Sequence, residues 1–309
     1  MIITENLIQN RLKICSRTSF CSVISVIIIF LFSVQNSYSQ ITNYDEPRRG
    51  SIYFSLGYGA EFYNSSKIHI IQDALKNNYT ILDVIGKDNG GPNTNFSLSS
   101  LNFRFGYYFN YNQNSGIELS YDPCKYFLPD NQSVHISGTK NNIHVDELAM
   151  FSKALGNYYY LDNGGGIIQF NFSGRYGIYR KISYNFALDL IGKAGIGAIT
   201  PNVDNSLDGK QNSAGTQLGG INFGLETGIR WVSHRHYCIE LTYKYNYAML
   251  SNLKIYEGWA SQNISAGSLA LRATLFLPTT KHNPLFDQGW SHRKRITHER
   301  SMYLIDAQY

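Results

Sequence analysis

The sequence predicts an all-β fold: an eight-stranded antiparallel up-and-down transmembrane β-barrel with long external loops. Three observations predict it: a leader suited to export, eight segments in which apolar and polar residues alternate, and connections that alternate short with long. Composition agrees. The 309 residues include 24 Tyr, 17 Phe and 27 Gly but only 7 Pro, and 16% are charged, against roughly 25% in soluble domains. Aromatic chains poor in charge favour strands that face something apolar.

Arg11, Lys13 and Arg17 precede an apolar run from Ser22 to Val34, and the polar stretch Gln35 to Gln40 follows. That order is the order of a secretory signal peptide, with cleavage after Ser39. A transmembrane anchor is the alternative, but the run is shorter than the roughly 20 residues a spanning helix needs. The expected divisions are 1–39 as signal peptide, 40–50 as periplasmic leader, 51–278 as barrel and 279–309 as basic periplasmic tail. The formal charge of +5 lies mostly in the first and last of these, which leaves the body near neutrality. No basic face of the kind nucleic acid requires is present.

The first strand, Ser51 to Tyr63, sets Ile52, Phe54, Leu56, Tyr58, Ala60 and Phe62 against Tyr53, Ser55, Gly57, Gly59 and Glu61. Period-two alternation marks a strand with two unlike faces. In the second, Leu101, Phe103, Phe105, Tyr107, Phe109 and Tyr111 alternate with Asn102, Arg104, Gly106, Tyr108 and Asn110. The apolar faces of the next three are Ile117–Leu119–Tyr121, Ile168–Phe170–Phe172–Tyr176–Ile178, and Tyr184–Phe186–Leu188–Leu190–Ala194–Ile196. The last three read Ile221–Phe223–Leu225–Ile229–Trp231, Ile239–Leu241–Tyr243–Tyr245–Tyr247 and Leu269–Leu271–Ala273–Leu275–Leu277. Bacterial single-chain barrels have an even number of strands.

Short turns fall near Asn112 to Ser115, Arg180 to Ser183 and Ser233 to His236. Long loops fall at about Ser65 to Ser99, Lys125 to Gly165, Thr200 to Leu218 and Ser251 to Ser265. Sorting of loop length by end is a barrel trait. Tyr111, Tyr184, Trp231 and Tyr237 then mark the periplasmic rim, and Tyr63, Tyr121 and Tyr247 the external one. Leu188 is expected near mid-membrane on the lipid face.

The inward face carries Arg104, Arg175, Lys193, Arg230, Lys244 and Arg272 together with Glu61, Glu118, Asp122, Asp189, Glu226 and Glu240. An eight-stranded barrel has room inside only for its own side chains, and buried charges must be paired. Six cations facing six anions therefore predict a salt-bridged, closed lumen. Cys15 and Cys21 leave with the signal, while Cys124 and Cys238 fall at opposite ends of the barrel, so no disulfide is expected.

This pattern resembles the small OmpA/OmpX-type outer-membrane barrels and the outer membrane protein beta-barrel domain group over about Gly50 to Pro278. The resemblance implies an outer-membrane location, contact with outer-membrane lipid and insertion by the barrel-assembly machinery. The chain departs from such barrels at its end, since about 31 residues follow Pro278.

Loops are the natural seat of function on a barrel scaffold. Lys67 to Asn78 and Val145 to Leu155 show a helical period and are expected as short amphipathic helices. Asp204, Ser206, Asp208 and Gly209 imitate half a calcium loop, but the twelfth position is Gly215, so an Asx-rich turn is the expected reading. All eight histidines sit outside the eight strands, which argues against a wall-mounted Ser-His-acid site. His144 with Asp146 and Glu147 is the nearest approach to one. His234 and His236 have metal-compatible spacing but no further ligands, so neither metal nor cofactor is expected. The basic tail cluster His292 to Arg295 suits contact with cell wall or a periplasmic partner. The function expected is non-enzymatic, envelope-structural or surface-interacting, with a narrow pore and a lipid-modifying enzyme as the alternatives.

Overall fold

The computed structural model describes residues 50–88, 101–109, 115–162, 165–181, 186–233 and 237–278. The expected signal peptide, nearly all of the leader, the tail, and the three short turns in whole or part lie outside these residues. Among the described residues seventeen strands run in chain order: β1 (Ser51–Tyr63), β2 (Ser65–Gln72), β3 (Asn77–Ile85), β4 (Lys87–Asp88), β5 (Leu101–Tyr108), β6 (Ser115–Pro123), β7 (Tyr126–Phe127), β8 (Gln132–Lys140) and β9 (Ile143–Phe151). Then come β10 (Tyr158–Leu161), β11 (Gly166–Lys181), β12 (Phe186–Thr200), β13 (Asn202–Leu207), β14 (Lys210–Thr216), β15 (Gly220–Ser233), β16 (Tyr237–Ile255) and β17 (Gly258–Pro278).

The eight alternating segments are β1, β5, β6, β11, β12, β15, β16 and β17, and they pair antiparallel in that order. All 13 residues of β1 also pair with β17, from Ser51↔Pro278 to Tyr63↔Ala266, so the pairing returns to its first strand. The sheet nevertheless has twelve strands, more than the eight expected. The excess comes from the regions expected as loops.

The strands outrun a membrane, and this is why the loops could fold. A spanning strand needs about 9–11 residues, whereas β16 has 19 and β17 has 21. The stretch expected as the fourth loop, Ser251 to Ser265, is the far end of this hairpin, turning at Tyr256 and Glu257. Where β1 ends, Asn64 donates its N–H to the Ser265 carbonyl and β2 takes over the same edge of β17, pairing with Trp259 to Gln262. β3, β8 and β9 continue the sheet outward, and β14, β13, β10, β7 and β4 form a second sheet of five.

Neither expected loop helix forms. Lys67 to Asn78 lies mainly in β2 and the start of β3, with a 3-10 turn at Asp73–Leu75 between them. Ile68 and Ile70 face inward at strand spacing, and β-branched residues fit a pleated surface better than a helix. Val145 to Leu155 lies mostly in β9, where Val145, Ala149 and Phe151 pack inward while Leu148 stands 79% exposed. Short apolar runs fit both periods, and the available sheet edge decided the outcome.

Along each long strand the character of the inward face changes with height. On β16 it runs from Glu240, Thr242, Lys244 and Asn246 to Ala248, Leu250, Leu253 and Ile255. Beyond the charged zone, β11, β12 and β17 supply Ile167, Ile199 and Ile264 to an apolar core shared with Ile81, Tyr126, Ile136 and Leu161 of the former loops. The lower zone has polar residues inside and apolar residues outside, as lipid demands; the upper zone reverses this, as water demands. Burial of Ile81 in that upper core gives Ile81→Ala an expected cost of about 2–5 kcal/mol. Hydrogen exchange should report faster opening of β2, β3, β8 and β9 with β5, β6, β11, β12 and β15 unchanged.

Candidate functional site

The inward charges are set in rows by strand register. Asp189, Arg230, Glu240 and Arg272 stand side by side across β12, β15, β16 and β17. Two inward-facing positions further along, Lys193, Glu226 and Lys244 form a second row. Sign alternates from strand to strand in both, the arrangement that cross-strand neighbours favour.

Among the described residues Glu226 joins the most cations. Its carboxylate accepts from Arg272 at 2.9 and 3.2 Å, and lies 3.1 Å from Lys193 Nζ and 3.5 Å from Arg104. Glu118 takes Lys193 Nζ at 2.7 Å, the Tyr53 hydroxyl at 2.8 Å and Arg104 Nε at 3.5 Å. Asp122 bridges Arg104 and Lys244, both at 2.7 Å. Arg272 also donates to Asn102 at 2.9 Å and to Thr242. These four cations and three anions form one connected cluster.

Toward the other end, Arg230 donates Nε to Glu240 at 2.8 Å and Nη2 to the Tyr108 hydroxyl at 2.8 Å. Its guanidinium lies over the Tyr108 and Phe276 rings at 5.4 and 5.2 Å, a cation–π geometry. Tyr53 stacks on Tyr108 at 4.9 Å, and with Ala187, Val232, Cys238 and Phe276 these rings form an apolar floor. Arg175 stands 3.6 Å from Asp189. The charges thus lie between an apolar floor and an apolar roof.

Glu61 stands apart from the other eleven. It accepts from Tyr63, and its backbone N–H donates to Asp88 at 2.8 Å, beside the Lys125–Asp88 pair at 3.8 Å. It belongs to the junction between ring and roof, because β1 by then adjoins the folded loop containing Asp88. Cys124 lies in the roof core and Cys238 in the floor cluster, both buried and unbridged.

The folded loops form a second structural feature, a β head. Asp204, Ser206, Asp208 and Gly209 form the β13–β14 hairpin, with Asp208 and Gly209 at φ 53° and 78° in its two-residue turn. Asp204 accepts from the Tyr158 hydroxyl at 3.1 Å and Asp208 from Lys140 at 2.8 Å, so the imitation calcium loop is bound to its own protein. Asp146 pairs with His135 at 2.7 Å across β8–β9, a partner the sequence reading did not pair with it. The His135↔Leu148 and Ser137↔Asp146 register makes that contact a diagonal, which only the hairpin alignment reveals. Asp130 accepts the Lys153 N–H at 2.7 Å, and this bond holds its carboxyl below the usual range.

No family model and no curated protein matches the chain. Among solved structures it is similar to the outer membrane protein AlkL, with TM-score 0.39 and 10% identity over 79% of this chain and 98% of that one. It is similar also to outer membrane protein OprG from Pseudomonas aeruginosa, with TM-score 0.37 and 12% identity over 77% and 100% of the two chains. Neisserial surface protein A matches at TM-score 0.29 and 11% identity over 73% and 97%. Likenesses of this strength assign neither a family nor an activity, and the all-β antiparallel architecture rests on the strand pairing itself.

Proposed function

We propose that this chain is a non-enzymatic outer-membrane protein: an eight-stranded closed barrel with a salt-bridged lumen, carrying a folded β head for surface interaction. The observation that carries this reading is the reversal of burial along β16 and β17, from polar-inside to apolar-inside. Lipid surrounds the lower zone and water the upper. In this reading residues 1–39 are the removed signal, 51–278 the barrel with its head, and 279–309 a periplasmic tail suited to cell-wall or periplasmic contact. Insertion falls to the barrel-assembly machinery.

A narrow pore fits less well, because the Tyr53–Tyr108–Phe276 floor and the Ile167–Ile199–Ile264 roof close both ends of the charged zone. A lipid-modifying enzyme fits less well still. The described histidines lie on the head, where the His135–Asp146 pair is solvent-exposed.

The test places a single cysteine at exposed Leu148 on β9. Cys124 and Cys238 are buried, so Leu148→Cys on intact cells should react with a membrane-impermeant maleimide while the parent protein does not. The labelled protein should sediment with outer membranes and migrate differently before and after boiling. Labelling only after cell lysis would place the head on the wrong side of the membrane.

A further inference from the structure

The outward surface of the long strands is not evenly filled. At the end opposite the head, a basin of about 580 Å³ lies across β15, β16, β17 and β1, lined by Phe54, Leu56, Trp231, Tyr237, Ile239 and Ala273 among others. Strand register accounts for it. Trp231, Ile239, Ala273 and Leu56 stand side by side on adjacent strands, and Tyr237, Leu275 and Phe54 form the next row toward the rim. In the first row Ala273 is the side chain that stops at Cβ, although Leu271 and Leu275 precede and follow it on the same face of β17. One methyl therefore floors a space walled by large side chains.

The lining sets the chemistry of the occupant. No charged side chain lines the basin, and its polar members Cys238 and Thr274 are buried on the inward side. A headgroup would find no partner there. In hydrocarbon no hydrophobic drive acts between apolar surfaces, so packing decides what sits in the basin, and a space left unfilled forfeits dispersion contacts. A second copy of the chain fits poorly, because a stable interface engages about 20–30 residues a side, whereas nine residues line the basin. A methylene chain is thin, flexible and uncharged, and can follow the floor at Ala273. Tyr237 is the first residue of β16, so the basin begins at the rim. There the ester of a lipid meets its chains, and Tyr and Trp rings suit that level.

We propose that the basin over Ala273 binds the ester-proximal part of an acyl chain from a glycerophospholipid of the periplasmic leaflet, with Trp231 and Tyr237 flanking the ester. The proposal rests on the outer-membrane barrel reading and goes beyond it by giving one lipid a fixed seat.

Trp231 reports on the seat. It is one of three tryptophans in the chain, and Trp259→Phe with Trp290→Phe leaves it alone. This full-length parent is folded into vesicles of phosphatidylcholine brominated near the ester end of its chains, then extracted into mild detergent and freed of bulk lipid. Bromine quenches indole at contact, so only a lipid retained beside Trp231 can act. One phosphatidylcholine per chain is expected by native mass spectrometry, with Trp231 emission at least halved relative to the unbrominated lipid. Ala273→Leu fills the floor and should abolish both signals. Ala194→Leu should keep both, since Ala194 lies on the outward face of β12 between Phe172 and Leu225, away from the basin. Should Ala273→Leu not fold, Ala273→Val fills less of the floor and must still weaken both. Retention without quenching, quenching that survives the filled floor, or a parent that keeps no lipid would each overturn the seat. So would a complex of two chains that Ala273→Leu splits, which would give the basin to a second copy. Mobility before and after boiling is measured on the same samples. An intact shift in the parent confines any such failure to the seat, whereas loss of the shift rejects the barrel reading beneath it.

Discussion

Glu226→Gln is expected to destabilise the protein by about 3–5 kcal/mol, the cost of removing one partner from a buried ion cluster. Glu226 lies against Arg272, Lys193 and Arg104, so neutralising it leaves Lys193 and Arg104 to Glu118 and Asp122 and leaves Arg272 against the neutral Asn102 and Thr242. The glutamine is nearly the same size, which makes the loss one of charge and not of packing. Unfolding in urea, followed by the mobility of the folded form on unheated gels, reads the change as a lowered midpoint. Asp208→Asn supplies the comparison, because its partner Lys140 sits 2.8 Å away on the exposed head, where a pair contributes about 0–1 kcal/mol. Equal effects at the two positions would mean that the lumen is wet enough to screen its charges, and the closed lumen would then have to be abandoned.

The antiparallel strands were legible in the sequence because alternation in Phe103–Phe105–Tyr107 or Ile239–Leu241–Tyr243 has one physical reading, a strand between two unlike media. The same parity puts Arg104 and Lys193 on the face opposite the apolar one, and both are buried. Parity does not give register. The rows Asp189–Arg230–Glu240–Arg272 and Lys193–Glu226–Lys244 emerge only when the strands are aligned, so the sequence could name the charged residues but not their pairs. Glu61 shows the limit. Its face follows the alternation, but its neighbours come from Asp88 and Lys125 in regions expected as loops.

The head was read wrongly as loops with two helices because its strands are short and draw their partners from distant parts of the chain. β2 needs the overhanging end of β17, and β8 needs β3. Nothing local in Lys67 to Asn78 announces that edge. The alternation of Ile68 and Ile70 with His69 was present, but over so few residues it competes with a helical period. The reach of β16 and β17 beyond the membrane could have been suspected from Ala248, Leu250, Leu253 and Ile255, where apolar residues move to the face that had been polar. That change of face was the readable sign of a second hydrophobic core.

Leu241→Arg should cost roughly 2–4 kcal/mol, the depth-dependent cost of Arg on the lipid face at the bilayer midplane. Leu188 is less suitable than expected, since it pairs with Trp231 two residues from the end of β15, near the rim. Leu241 is half exposed on the outside of β16 and is flanked in register by Ile229 and Leu271, also outward-facing. The two media predict opposite outcomes for the same change. If water covered this surface, arginine would replace an exposed leucine at a cost within about 0.5 kcal/mol, as surface substitutions usually do. If lipid covers it, the guanidinium must be dragged toward the headgroups or left in hydrocarbon. Folding titrations in bilayers of defined thickness separate these cases, because the penalty should grow as the bilayer thickens and the route to the headgroups lengthens. A cost near zero, unchanged with thickness, would turn the ring of eight strands into a soluble barrel with an apolar surface awaiting another partner.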